Sequence, residues 1–122
     1  MSNFAPITSG IGMFRSCSSM TTVNCNFRLY GDSIDVTEMF KDCSLLTMTE
    51  DYGLFSKFNE AATINFTRCF QNCTSLNNLP KMWYNDSYFN LWEIPGVTGD
   101  GCFNGCTLLI ENFGDIIPAN WK

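Results

Sequence analysis

The sequence contains no histidine. That excludes Ser-His-Asp and Cys-His catalysis, and leaves general acid–base work to carboxylates or to a perturbed Lys, Tyr or Cys. No carboxylate pair stands out. Asp32 and Asp35 flank Ser33 in a loop, and Glu50-Asp51 follow the second motif; both read as solvated charges. Gly96, Gly99, Gly101 and Gly105 fall in a turn without the Lys-Ser/Thr that a phosphate cradle needs. The expectation is a non-enzymatic chain without a cofactor. Basic residues are scarce too: 7 against 12 acidic, a formal charge of −5. They are spread along the chain at Arg15, Arg28, Lys41, Lys57, Arg68, Lys81 and Lys122, so nucleic acid is not an expected partner. No apolar run reaches the roughly 18 residues of a membrane span, and no segment reads as a basic amphipathic helix. Met1-Ser2-Asn3-Phe4-Ala5-Pro6 has neither a basic flank nor a hydrophobic stretch, so a cleavable export signal is not expected.

What is present is a motif in four copies: Met13-Phe14-x-x-Cys17-Ser18-x-Met20, Met39-Phe40-x-x-Cys43-Ser44-x-Leu46, Cys69-Phe70-x-x-Cys73-Thr74-x-Leu76 and Cys102-Phe103-x-x-Cys106-Thr107-x-Leu109. The phenylalanines stand 26, 30 and 33 residues apart, the spacing of stacked repeat units. Within a copy the apolar or thiol positions recur every third residue, as in Phe70, Cys73, Leu76 and Leu79. That is neither the 3.6 period of a helix nor the 2.0 period of a strand. A second signal precedes the motif at Ile34 and Val36, Ile64 and Phe66, and Val97. The pattern predicts an α/β repeat, a short solenoid of about four coils. Each coil is a helical or 3₁₀ turn through Phe-x-x-Cys, a brief parallel strand over Ser-x-Leu-x-x-Leu, and a variable loop. A single domain over 1–122 is expected, with repeat cores near 13–23, 39–48, 69–80 and 102–113. The 45% apolar content supports one modest continuous core.

These residues resemble the BspA-like, or treponemal-type, leucine-rich repeats and the related repeats of mycoplasma surface lipoproteins. Cys69-Phe70-Gln71-Asn72-Cys73-Thr74-Ser75-Leu76-Asn77-Asn78-Leu79-Pro80 matches that family's run throughout. The first copy departs at Val23-Asn24 and the second at Thr49, while Ile117-Pro118 stands for a further coil or a terminating cap. The resemblance covers roughly residues 7 to 118. It implies an adhesive or protein-binding module of bacterial, protist or phage origin. With no export signal expected, the leading context is a phage virion, as an accessory capsid, fibre or tail component. An adhesion module of a bacterial cell-surface protein is the alternative.

Seven cysteines invite a third reading. Cys17, Cys43, Cys73 and Cys106 share one repeat slot, while Cys69 and Cys102 fill the slot of Met13 and Met39. Free cysteine serves there as a small buried hydrophobe. The competing possibility is a metal–thiolate site at Cys69-x-x-x-Cys73 and Cys102-x-x-x-Cys106 holding zinc or an iron–sulfur cluster, although the tight Cys-x-x-Cys knuckle is missing. An odd count and repeat-bound positions speak against disulfides. Cys25 lies outside the slots. The acceptor tripeptides at Asn65, Asn72 and Asn85 read as accidental, two of them overlapping core positions.

Specificity is expected in the loops. The longest, from about Lys81 to Asp100, carries Trp83, Tyr84, Tyr88, Phe89 and Trp92, with Tyr52, Phe55 and Phe58 in the loop before it. One reading makes these rings anchors for a protein partner, another assembly subunit or a second copy; the other folds them over the flank of the sheet. Carbohydrate stacking is a weaker use of the same rings.

Overall fold

The computed structural model describes residues 4–49 and 52–122. Glu50 and Asp51, read above as loop charges, lie outside the described residues. The chain is a small α/β domain with mostly parallel strands in two sheets and little helix. Numbered in chain order, β1 (Phe4–Ile7), β2 (Asn26–Leu29), β4 (Gly53–Lys57) and β6 (Lys81–Tyr84) lie parallel, and β7 (Ser87–Asn90) closes that sheet as an antiparallel edge. The second sheet is β3 (Ser33–Asp35), β5 (Thr63–Asn65) and β8 (Val97–Thr98), all parallel. One helix, α1 (Thr107–Phe113), and two 3₁₀ turns (Leu91–Glu93, Ala119–Trp121) complete the described structure.

The apolar pairs upstream of the motif therefore mark the three-stranded sheet. The strand expected over Ser-x-Leu-x-x-Leu is not there; the longer strands begin only after that run, at Asn26, Gly53 and Lys81. The motif itself is neither strand nor 3₁₀ helix but a chain of β-turns, and its hydrogen bonds show why. In the second copy the N–H groups of Met39, Lys41 and Cys43 close local turns onto Val36, Glu38 and Phe40. The intervening N–H groups of Glu38, Phe40 and Asp42 donate instead to Thr67, Cys69 and Gln71 of the next copy. Local and lateral bonds alternate residue by residue, so neither regular pattern propagates. The turns require positive φ at two positions per copy: Glu38 (57°) and Asp42 (63°), Arg68 (49°) and Asn72 (63°), and both are glycine, Gly101 and Gly105, in the fourth. A strand cannot contain such residues.

Lateral bonding stacks the four copies in register. Phe14, Phe40, Phe70 and Phe103 form a column with successive centroids 5.3, 5.3 and 5.7 Å apart and planes within 16°. Beside it runs a thiol ladder, in which Cys43, Cys73 and Cys106 donate to the carbonyls of Phe14, Phe40 and Phe70 in the preceding copy at 3.1, 3.0 and 2.9 Å. The shared cysteine slot thus calls for a small apolar group that also carries a donor.

After Cys106 the fourth copy leaves the pattern and winds into α1, keeping Leu109 buried. The chain then returns so that Gly101 and Phe103 donate to the carbonyls of Asn120 and Trp121. Trp121 lies on Phe103, Phe66 and Trp92 at 6.1 to 6.3 Å and is 4% exposed. A Cβ on Gly99 would fall 2.5 Å from its ring, so that approach demands glycine. The Ile117-Pro118 segment therefore acts as a partial fifth level and as a cap at once.

Candidate functional site

A twisted parallel sheet buries one face and leaves the other to be explained. In the five-stranded sheet Phe27, Leu29, Phe55 and Met82 point into the core. Alternation puts Arg28, Ser56, Trp83 and Tyr88 in one row on the face opposite the core residues, in register from β2 to β7; Ser56 is buried there at 3% exposure, Arg28 and Trp83 are half-buried, and Tyr88 is open. Trp83 and Tyr88 meet edge to face at 4.9 Å and 67°. Tyr88 lies across Gly53, where a Cβ would come 2.3 Å from its ring. Just beyond the ends of β2 and β4, Tyr30 and Phe58 stand 43% and 52% exposed, and Tyr88 is 53% exposed. The Arg28 guanidinium lies 4.8 Å from the Phe58 centroid and 5.9 Å from that of Tyr30. Asn26 ties the row's base together, donating to the Gly53 carbonyl and accepting from the Ser56 hydroxyl, both at 2.6 Å.

Of the rings read as interface anchors, Trp83 and Tyr88 stand on this face. Phe55 is fully buried against Phe27 and Phe66, so it serves the core. Tyr52 donates its hydroxyl to the Cys25 carbonyl at 2.8 Å, a tie between successive copies. Tyr84 and Phe89 sit on the inner side of the hairpin, 6.3 Å apart and partly buried. Trp92 packs edge-on against Phe103 and Trp121. The expected loop is thus mostly a β-hairpin whose turn, Asn85-Asp86, takes φ of 51° and 64°, the left-handed pair of a type I′ connection. Tyr30 and Arg28 were not singled out in the sequence. The signal was the alternation Phe27-in, Arg28-out, Leu29-in, Tyr30-out, which only a strand beginning at Asn26 reveals.

Beside the hairpin turn a cavity of about 290 Å³ is lined by Lys57, Phe58, Glu60, Trp83, Tyr84, Asn85 and Asp86. Lys57 is 2% exposed and donates to the Pro95 carbonyl at 2.6 Å. Burial pushes its ammonium below the usual lysine range, with Glu60 acting in the opposite sense.

On the turn side, stacking gathers cations that are far apart in sequence. Arg15, Arg68 and Lys41 surround Glu38 at 2.5, 3.2 and 3.7 Å. Bonds from Arg15 and Arg68 hold that carboxyl below its ordinary value. The basic residues are therefore less scattered than their spacing suggested, although Glu38 neutralises part of the cluster. The thiols form a poor ligand set. Burial raises Cys69 and Cys102 well above the ordinary thiol range, and a bond with the Cys106 thiol together with burial raises Cys73. Among the described residues no three Cys, Asp or Glu side chains gather where they could hold a metal ion. No protein-family model, curated protein or solved structure matches the chain.

Proposed function

We propose that the chain is a short leucine-rich-repeat solenoid that works as a non-enzymatic binding or bracing component of a larger protein assembly, with the outer face of the five-stranded sheet as its contact surface. The observation that carries this reading is the row Arg28, Ser56, Trp83 and Tyr88 flanked by the exposed rings of Tyr30 and Phe58. Tyr, Trp and Arg are the residues most enriched at binding hot spots. A sheet face that needs only polar side chains has no use for two rings beside a guanidinium at one end and an edge-to-face Trp83–Tyr88 pair at the other. The resemblance to BspA-like repeats supports protein binding as the class of function. A phage virion is the context we assign, as an accessory capsid, fibre or tail protein; a bacterial surface adhesin would use the same face.

The test places a photo-crosslinking amino acid at position 88 and identifies the adducts by mass spectrometry, with light scattering alongside. One defined protein adduct, or a defined oligomer, that is lost on Trp83→Ala is the expected result. Adducts that form equally from a position on the turn side, such as Ser18, would overturn the reading. Virion or envelope proteins among the adducts separate the two contexts.

A further inference from the structure

We propose that the first-copy end of the motif stack is a docking site for one more Phe-x-x-Cys turn segment, supplied by a partner chain. The lateral ladder has one direction: N–H groups of Gly12, Phe14 and Ser16 donate to Thr37, Met39 and Lys41, and the same step recurs at each later level. The carbonyls of Ile11, Met13 and Arg15 are the corresponding acceptors of the first copy, and they receive no backbone donor among the described residues. The thiol ladder stops at the same place. Cys43, Cys73 and Cys106 each donate to a phenylalanine carbonyl one level earlier, and Cys17 has no earlier level. The apolar slots tell the same story: Phe40, Cys43 and Leu46 are 0% exposed, as are their counterparts in the third and fourth copies. Phe14, Cys17 and Met20 in the first copy are only half-buried, with Ile11 57% and Met13 43% exposed.

Three acceptors, one thiol donor and an apolar column continue an interface that the molecule already builds three times. Their occupant must bring N–H donors at alternate residues, a carbonyl opposite Cys17 and a ring or aliphatic group over Phe14, which is the chemistry of another motif copy. A second copy of this chain does not supply it. Two first-copy ends face to face would set acceptors against acceptors, and the opposite end is closed by Trp121 and α1. Strand addition at neighbouring β1 is also blunted. Ile7 bonds toward β2, so Pro6 faces the outer edge and has no N–H to offer there. The site extends the protein-binding reading to a surface separate from the Trp83 face, so either can fail alone.

The probe is the third copy, residues 64–79, joined ahead of Met1 through a flexible Gly/Ser linker that presents it at millimolar effective concentration. The readout is N-ethylmaleimide modification mapped by mass spectrometry at Cys17, with half-buried Cys25 as internal reference. At a concentration about ten times Kd, occupancy slows Cys17 by about tenfold. The expected result is that slowing, with Cys25 unchanged, absent for a scrambled segment and lost on Met13→Lys, and no change in mass by light scattering. Equal protection by the scrambled segment, or an unprotected Cys17, overturns the proposal. Protection of Cys17 in the untethered chain that grows with protein concentration also overturns it, in favour of self-association.

Discussion

The thiol ladder makes a residue-scale prediction that separates a packed cysteine from a reactive one. Burial pushes the Cys43 thiol up to about 11 from an ordinary value of 9.0, and Cys69, Cys73 and Cys102 are shifted the same way. The folded state holds these groups neutral while the unfolded chain ionises them, so their contribution is complete below about pH 9 and is lost as pH rises toward and through the folded values. Denaturant midpoints should therefore be level from neutrality to about pH 8.5 and fall beyond it, and Cys43→Ala should flatten the fall between 9 and 11. An unchanged slope in that variant would remove Cys43 from the account. Cys73→Ala deletes a buried sulfur and leaves the Phe40 carbonyl with one donor fewer, a loss of about 1–2 kcal/mol in chemical denaturation. In the native state Cys17 and Cys25 should take up maleimide while the five buried thiols do so only on unfolding.

At the scale of elements, rings that look alike in sequence divide into two kinds. Trp92→Ala removes a wall from beside Phe103 and Trp121 and should cost about 3 kcal/mol. Trp83→Ala and Tyr88→Ala act on an outer face and should stay within about 1 kcal/mol of the parent, so these two test the proposed contact surface without also reporting on folding. A thermal melt of the three variants checks the division. Asp86→Gly relieves a left-handed residue in the hairpin turn and should stabilise by about 0.5 kcal/mol, whereas Gly105→Ala, at φ 79° with Asn72 Oδ1 in its path, should destabilise by more than 1 kcal/mol. The same residues show how much was legible. The four motif copies, their stacking and the parallel strands followed from periodicity, because phenylalanine and cysteine at fixed spacing fill the same place at each level. The three-residue period points to strands one segment ahead of where they lie. A three-residue period looks extended until the positive φ at Glu38, Asp42 and Asn72 is known, and none of those side chains announces a left-handed backbone as glycine does at Gly101 and Gly105. The outer sheet face was half visible: Trp83 and Tyr88 were named, but Tyr30 and Arg28 needed the register that the shifted strands concealed.

On the scale of the whole molecule the two ends of the stack are unequal, and stability should be too. Each interior level is covered on both sides; the last is covered by Trp121, whose backbone carbonyl also receives the Phe103 N–H. Truncating that ring opens the column onto Phe66, Phe103 and Trp92 together. For a domain whose total stability is about 5–15 kcal/mol, a Trp→Ala loss of about 3–5 kcal/mol takes a large share, with a fall in Tm of about 10–25 °C. At the first-copy end Ile11 and Met13 already meet solvent, so Ile11→Ala and Met13→Ala should move Tm by no more than about 3 °C. Calorimetry of the three variants decides whether the stack is held from its closed end. Equal losses at both ends would mean that the first copy is as well covered as the last, which would leave no room there for a partner's segment.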